Sequence, residues 1–365
     1  MRAMIVKEFR ELRRDKRTLA MLIAMPLLLL VIFGYAANFE VKTVKAAVVG
    51  PQATAFAATL PSSFFNVTVI RPSDNQGDAV RMLQDRTVNV VVVTGHKPVL
   101  ADVDGSNLFA SQSIVSVLNK SGGKVSTQIL FNPELKTSWV MVPAIIGLIL
   151  TFIGTIVTSI GLVRERETGT LEQLAVMPIK PSTVILGKIS PYFLVAAIDM
   201  TIITSLGMLL FGVPFNGNAF VFTLGAALFL FVVLGLGVFI STISQTSGQA
   251  IQTAFMFLLP QILLSGVIFP LDSMAAGVRW IGYLLPLTYF TMISQGVMLR
   301  GASLVSLWLP FLMLSVMAIV VFSGATLRFR RDLAPGRRRH GPTVAAEPAD
   351  RRATLAAGSE PGVGS

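Results

Sequence analysis

Few groups in this 365-residue chain are able to do chemistry. There is no cysteine, which excludes thiolate catalysis, disulfides and Cys-based zinc sites. The two histidines, His96 and His340, lie too far apart in the sequence to suggest a metal site. Gly187 and Lys188 are followed by Ile189 and preceded five positions earlier by Ser182, so they cannot build the G-x-x-x-x-G-K-[ST] loop that cradles phosphates. Two features remain. One is Asp199, the only acid within the long apolar runs. An ionisable group at membrane depth is a functional-site candidate by default, and the alternative is a structural contact to a neighbouring hydroxyl or backbone group.

The other is the stretch 164–178, RERETGTLEQLAVMP, where Arg164, Glu165, Arg166, Glu167 and Glu172 interrupt sequence that is almost unbrokenly apolar from 139 to 327. Its residues are good helix formers apart from Gly169 and Thr170, and Leu171 and Leu174 fall on one helical face. Pro178 and Pro181 end the pattern. The spacing predicts a short helix whose charged surface suits a polar groove of another protein. A solvated loop that only fixes topology is the competing reading.

The elements that must position these groups are set by composition. The chain is 53% hydrophobic and 13% charged, with a mean hydropathy of +0.70, more apolar surface than one soluble core can hide. The expected fold is an α-helical polytopic membrane protein. The net charge of +11 is concentrated at the chain ends and beside apolar runs, where it anchors helices at anionic lipid; a nucleic-acid partner is not expected. Runs long enough to cross a bilayer fall at 19–37, 139–163, 184–211, 219–243, 250–269 and 306–327, which predicts six transmembrane helices. Seven Lys or Arg within 1–17 and eight Arg from 328 to 352 place both termini in the cytoplasm, in the cell membrane of the host.

Between the first two runs, residues 38–138 have the composition of a soluble domain. Strand-like runs at 44–49, 67–70 and 88–94 alternate with helix-like stretches at 53–60, 78–85 and 108–118, predicting a small extracytoplasmic α/β domain. Residues 271–299 contain Pro286, Thr288, Ser294 and Gln295, and a crossing there would put the Arg-rich tail outside. They are expected to form re-entrant helices before the sixth span, with a surface loop as the alternative. Pro260 interrupts the fifth run, and Gly266 and Pro270 end it, breaks that could line a path or form a gate. Residues 328–365, rich in Arg, Ala, Gly and Pro, read as a disordered cytoplasmic tail. At the other end, 1–18 place Ile5, Phe9 and Leu12 on one helical face, the pattern of an interfacial helix, or else of an ordinary basic flank.

Several of these motifs together resemble the membrane permeases of ABC-2 type ABC transporters. The match runs through ERETGTLEQLAVMPI (165–179), GKISPY (187–192), KEFRELRRD (7–15), ISTISQ (240–245), LLPQILLSGVIFP (258–270) and YLLPLTY (283–289), covering nearly the whole chain. The resemblance implies that 164–178 is a coupling helix docking on a separate ATPase subunit. Its candidate residues are Glu165, Arg166, Glu167, Gly169, Thr170, Leu171, Glu172 and Leu174. It also implies that this chain binds no cofactor, ATP and Mg being held by the partner. A second permease copy or a relative would complete the membrane part, with the substrate path at the dimer interface. Asp199, Pro260, Gly266 and Pro270 are candidates for a path or gate. The expected function is export of an amphipathic drug, antibiotic or lipid-like molecule. A secondary transporter driven by an ion gradient, or a receptor using the external domain, are the alternatives; internal repeats are not evident.

Overall fold

The computed structural model describes residues 41–120, 125–168 and 181–332. The expected first span 19–37, the interfacial residues Ile5, Phe9 and Leu12, and the tail beyond 332 lie outside the described residues.

Residues 44–130 fold around a five-stranded sheet of β1 (Val44–Val49), β2 (Phe65–Arg71), β3 (Val90–Val93), β4 (Val99–Asp104) and β5 (Val125–Leu130), in the order β2-β1-β3-β4-β5. β1 runs parallel to β2 and β3, β4 is antiparallel to β3, and β5 is parallel to β4. Both faces are covered, which is why β3 (VVVV) and residues 46–49 of β1 (AAVV) read as apolar runs. Ala46 and Val48 turn to the side of α1 (Ala53–Ala57) and α3 (Leu108–Asn119), and Ala47 and Val49 to the side of α2 (Gln76–Gln84). Asn75 and Asp78 form a reciprocal capping box that starts α2. β1 has the bounds expected from the sequence, whereas β4 and β5 were not expected.

The helical body consists of α4 (Thr137–Glu167), α5 (Pro181–Phe211), α6 (Ala219–Ile243), α7 (Ser247–Leu264), α8 (Ala276–Gly282), α9 (Pro286–Met298) and α10 (Trp308–Asp332). Four described helices are long and apolar enough to cross a membrane: Thr137–Glu167, Ile185–Phe211, Ala219–Ile243 and Trp308–Arg328. The chain is therefore mostly helical and multipass, with one sheet. The expected run 250–269 is not one helix. α7 ends at Leu264, and Gly266 follows with φ of 89°, a left-handed conformation that L side chains adopt at a cost of about 1–2 kcal/mol.

α4 and α6 form the centre of the body. A Cβ on Gly237 would come within 3.0 Å of the Thr155 carbonyl, so the two backbones touch because the residue is glycine. α9 packs into this pair. Phe290 and Phe229 stack with centroids 4.4 Å apart, and both are fully buried. Ser294 Oγ donates to the Pro143 carbonyl at 3.1 Å and Gln295 Nε2 to the Val140 carbonyl at 2.9 Å. At 13 residues, α9 is about 20 Å long, shorter than a hydrocarbon core of about 30 Å.

Candidate functional site

α4 does not stop where its apolar residues do. Arg164–Glu167 continue it by one turn, and Thr168 caps it, its backbone N–H and its hydroxyl both donating to the Arg164 carbonyl. Four residues expected to begin a separate short helix are thus the end of α4, because they are good helix formers with no breaker before Gly169. At 1.5 Å per residue this turn lies about 45 Å from the sheet end of α4.

Successive residues on a helix point about 100° apart, so the charges of this turn fan out. Glu165 forms an ion pair with Lys188 of α5. Arg166 Nη1 donates to the carbonyl of Ser244, the C-cap of α6, at 2.8 Å. The Glu167 carboxylate accepts from the backbone N–H of Ser247 at 2.9 Å and from its hydroxyl at 2.8 Å. Ser247 is the first residue of α7, so this carboxylate satisfies an orphan donor and places negative charge at the positive helix end. Three consecutive side chains of α4 therefore reach α5, α6 and α7. A displacement of the segment after Thr168 would be felt by four helices. Gly169, Thr170, Leu171, Glu172 and Leu174 lie outside the described residues.

Of the four residues expected at a path or gate, only Gly266 and Pro270 border one cavity. Asp199 is half-exposed on the flank of α5 beside exposed Val195, Ile198 and Ile202, and its carboxylate makes no hydrogen bond or ion pair among the described residues. Pro260 sits within α7. Gly266 and Pro270 line a cavity of about 550 Å³ at the opposite end from the α4 turn, between the sheet and the segment that runs from the end of α7 through α9.

Beside that cavity lies a pair the sequence did not announce. Arg300, 3% exposed in the turn after α9, brings Nη1 to 3.2 Å from Ser106 Oγ and 3.9 Å from Asp104 Oδ2 at the end of β4. Burial pulls its guanidinium down to about 10, Asp104 opposing this, Arg86 adding to it and Asp85 opposing it. The Ser306 hydroxyl donates to Asp85, the C-cap of α2, so the 299–307 turn is tied both to the end of β4 and to α2. Asp102, two residues before Asp104, is fully buried. Burial pushes its carboxyl above the ordinary 3.8, with the Gln76 side chain acting the other way. Among the described residues there is no group of three or more His, Asp or Glu that could hold a metal ion.

Comparison with known proteins agrees with this architecture. The family model described as ABC-2 family transporter protein matches residues 16–327. The chain is 29% identical over 368 residues to Probable multidrug ABC transporter permease YbhS of Escherichia coli K12, covering 91% of this chain and 97% of that protein. It is 36% identical over 215 residues to Inner membrane transport permease YhhJ of the same strain, 57% of this chain and 56% of that protein. It is 28% identical over 202 residues to ABC transporter G family member 20 of Dictyostelium discoideum, 54% of this chain and 28% of that protein. With a match across most of its length and several membrane-length apolar helices, the chain belongs to the ABC-2 family of ABC transporter membrane subunits, whose partner is an ABC ATPase.

Proposed function

We propose that this chain is the permease of an ABC exporter that moves an amphipathic substrate, driven by an ATPase subunit docking on 164–178. The observation that carries the reading is the fan of Glu165, Arg166 and Glu167, which joins the root of the docking segment to α5, α6 and α7. ATP binding and hydrolysis belong to the partner. Six spans follow if the run 19–37 crosses first and α7 crosses with the non-helical segment 265–269 completing its passage, while α8 and α9 dip in from the outer face. The sheet then lies outside, the termini inside, and the protein in the inner membrane. A second permease completes the path, toward which Asp199 would turn.

Tagged protein purified in mild detergent from its own cells tests the reading. A Walker-type ATPase should co-purify with the wild type and be lost in Glu172→Ala/Leu174→Ala. Absence of any ATPase from both samples would favour a carrier driven by an ion gradient.

A further inference from the structure

The cavity between the sheet and the helical body has three properties that together define a ligand class. Its volume, about 550 Å³, is that of a site for a drug-sized molecule. Its ionisable lining is three cations, Lys45, Arg86 and Arg279, against one acid, Asp272. Lys45 and Arg86 are exposed and take part in no ion pair among the described residues, while Arg279 Nη2 is engaged with the backbone carbonyls of Asp272 and Met274. The membrane-side wall is mixed: Val140, Val267, Met292 and Leu309 give it an apolar strip beside the polar groups of Tyr283, Thr288 and Gln295.

Two further lining groups lack what burial requires. Ser265 is 1% exposed and Thr291 is 5% exposed, and neither hydroxyl has a hydrogen-bond partner among the described residues. A buried hydroxyl without a partner is unfavourable, a cost that a polar ligand atom or water in the cavity removes. Two exposed cations at the sheet side, Lys45 and Arg86, face an apolar strip and unpartnered hydroxyls on the membrane side, an arrangement that suits a molecule with an anionic head and an apolar part.

We propose that this cavity binds an anionic amphiphile, its charged head at Lys45 and Arg86 and its apolar part against Met292 and Val267. The assignment rests on the exporter reading, and it narrows the substrate class to molecules with an anionic head at the outer end of the permease. Gly266 and Pro270 then act as wall residues of this pocket.

Photolabelling of the purified permease, with its co-purified ATPase, in phosphatidylcholine nanodiscs tests it. The probes are a diazirine-bearing fatty acid and its matched alcohol and amine. The acid should label the α9 peptide containing Met292 at least severalfold more than either analogue, and Lys45→Gln/Arg86→Gln should abolish that preference. Lys120→Gln, outside the cavity, should leave it intact, and Lys45→Glu/Arg86→Glu should transfer the preference to the amine. Equal labelling by all three probes, or a preference for the acid that survives Lys45→Gln/Arg86→Gln, overturns the pocket. Labelling without nucleotide supports entry from the bilayer, and labelling only with ATP and magnesium supports delivery through the permease; both support the site. Selective labelling in a preparation that carries no ATPase would uphold the pocket and strike the exporter reading alone. Unselective labelling with the ATPase present and active would strike the pocket alone.

Discussion

Glu167 and Ser247 join the end of one membrane helix to the beginning of another, through a carboxylate that accepts both the backbone N–H and the hydroxyl of the serine. Because the contact is exposed, its static contribution to stability is small; its importance is directional, since it ties α7 to whatever moves the end of α4. Glu167→Ala should lower ATP-driven export severalfold while the ATPase still co-purifies, and Glu167→Gln, which keeps an acceptor but not the charge, should fall between. Export assayed in vesicles beside ATPase retention checks this. Wild-type export by Glu167→Ala would show that the contact transmits nothing.

Arg300 and Asp104 form the buried counterpart at the sheet end. Removing one member of a buried pair leaves an uncompensated charge, a loss of about 3–5 kcal/mol, whereas removing both is far milder. Arg300→Met should therefore lower the thermal unfolding temperature of the detergent-purified chain markedly, and Arg300→Met/Asp104→Asn should recover part of the loss. Arg300→Lys should be worse than charge conservation suggests, because an ammonium cannot present the planar donor fork. A double variant no more stable than the single one would mean that the pair is not coupled.

Asp102 predicts a pH dependence of known sign. Its folded-state carboxyl titrates above 3.8, chiefly through burial, so the folded chain holds a proton that the unfolded chain releases. Stability drawn from this group is present below 3.8 and is lost as pH rises through the raised folded value. Asp102→Asn, which cannot ionise, should unfold at a higher temperature than wild type near neutral pH. The difference should shrink toward zero as pH falls to about the ordinary value. Thermal melts across that range decide it; a gap independent of pH would assign the effect to packing.

What the sequence makes legible follows from where its signals are local. VKAAVV over 44–49 is a buried strand by composition alone, and the structure gives β1 those bounds. β4 stays hidden because Asp102 and Asp104 occupy buried positions where alternation calls for apolar residues, and β5, at the sheet edge, is VSTQIL. Charge conveys even less about direction. Glu165 and Glu167 read as a solvated or docking face, yet their partners, Lys188 and Ser247, lie on other helices. Arg300 follows the run 281–299 with nothing near it in the chain to point to Asp104. The break at Gly266 and Pro270 is visible in sequence as residue type, but the cavity it borders exists only once the sheet is seated over it.

Two glycines of α8 separate steric need from mere tolerance. A Cβ on Gly282 would fall 2.4 Å from the Leu264 carbonyl and 2.6 Å from Leu271 Cδ2, so this helix can lie against the end of α7 only without a side chain there. A Cβ on Gly277 would meet nothing within 4 Å. Gly282→Ala should destabilise the purified chain and reduce export, because backbone must move. Gly277→Ala should be neutral or slightly stabilising, alanine having the higher helix propensity by about 1 kcal/mol. Matched unfolding temperatures and export rates for the two variants check the contrast, and equal behaviour would show that the α7–α8 contact yields without cost.

Asp199 gives the sharpest test of whether a lone membrane acid serves transport. It is half-exposed between apolar neighbours, without a partner among the described residues, and nothing in α5 compensates it: the hydroxyls of Thr201 and Ser205 bond back to carbonyls of their own helix. An unpaired charge at the centre of a bilayer costs about 2.5–3.5 kcal/mol even on the milder scales. If a substrate or a proton uses Asp199, its charge is what transport requires. Asp199→Asn is nearly isosteric and removes only the charge, so protein abundance in the membrane should hold or rise while export falls. Asp199→Glu, which restores the charge one methylene further out, should recover part of the activity. Unaltered export by Asp199→Asn would remove the residue from the transport path and leave it as a tolerated polar group on a lipid-facing flank.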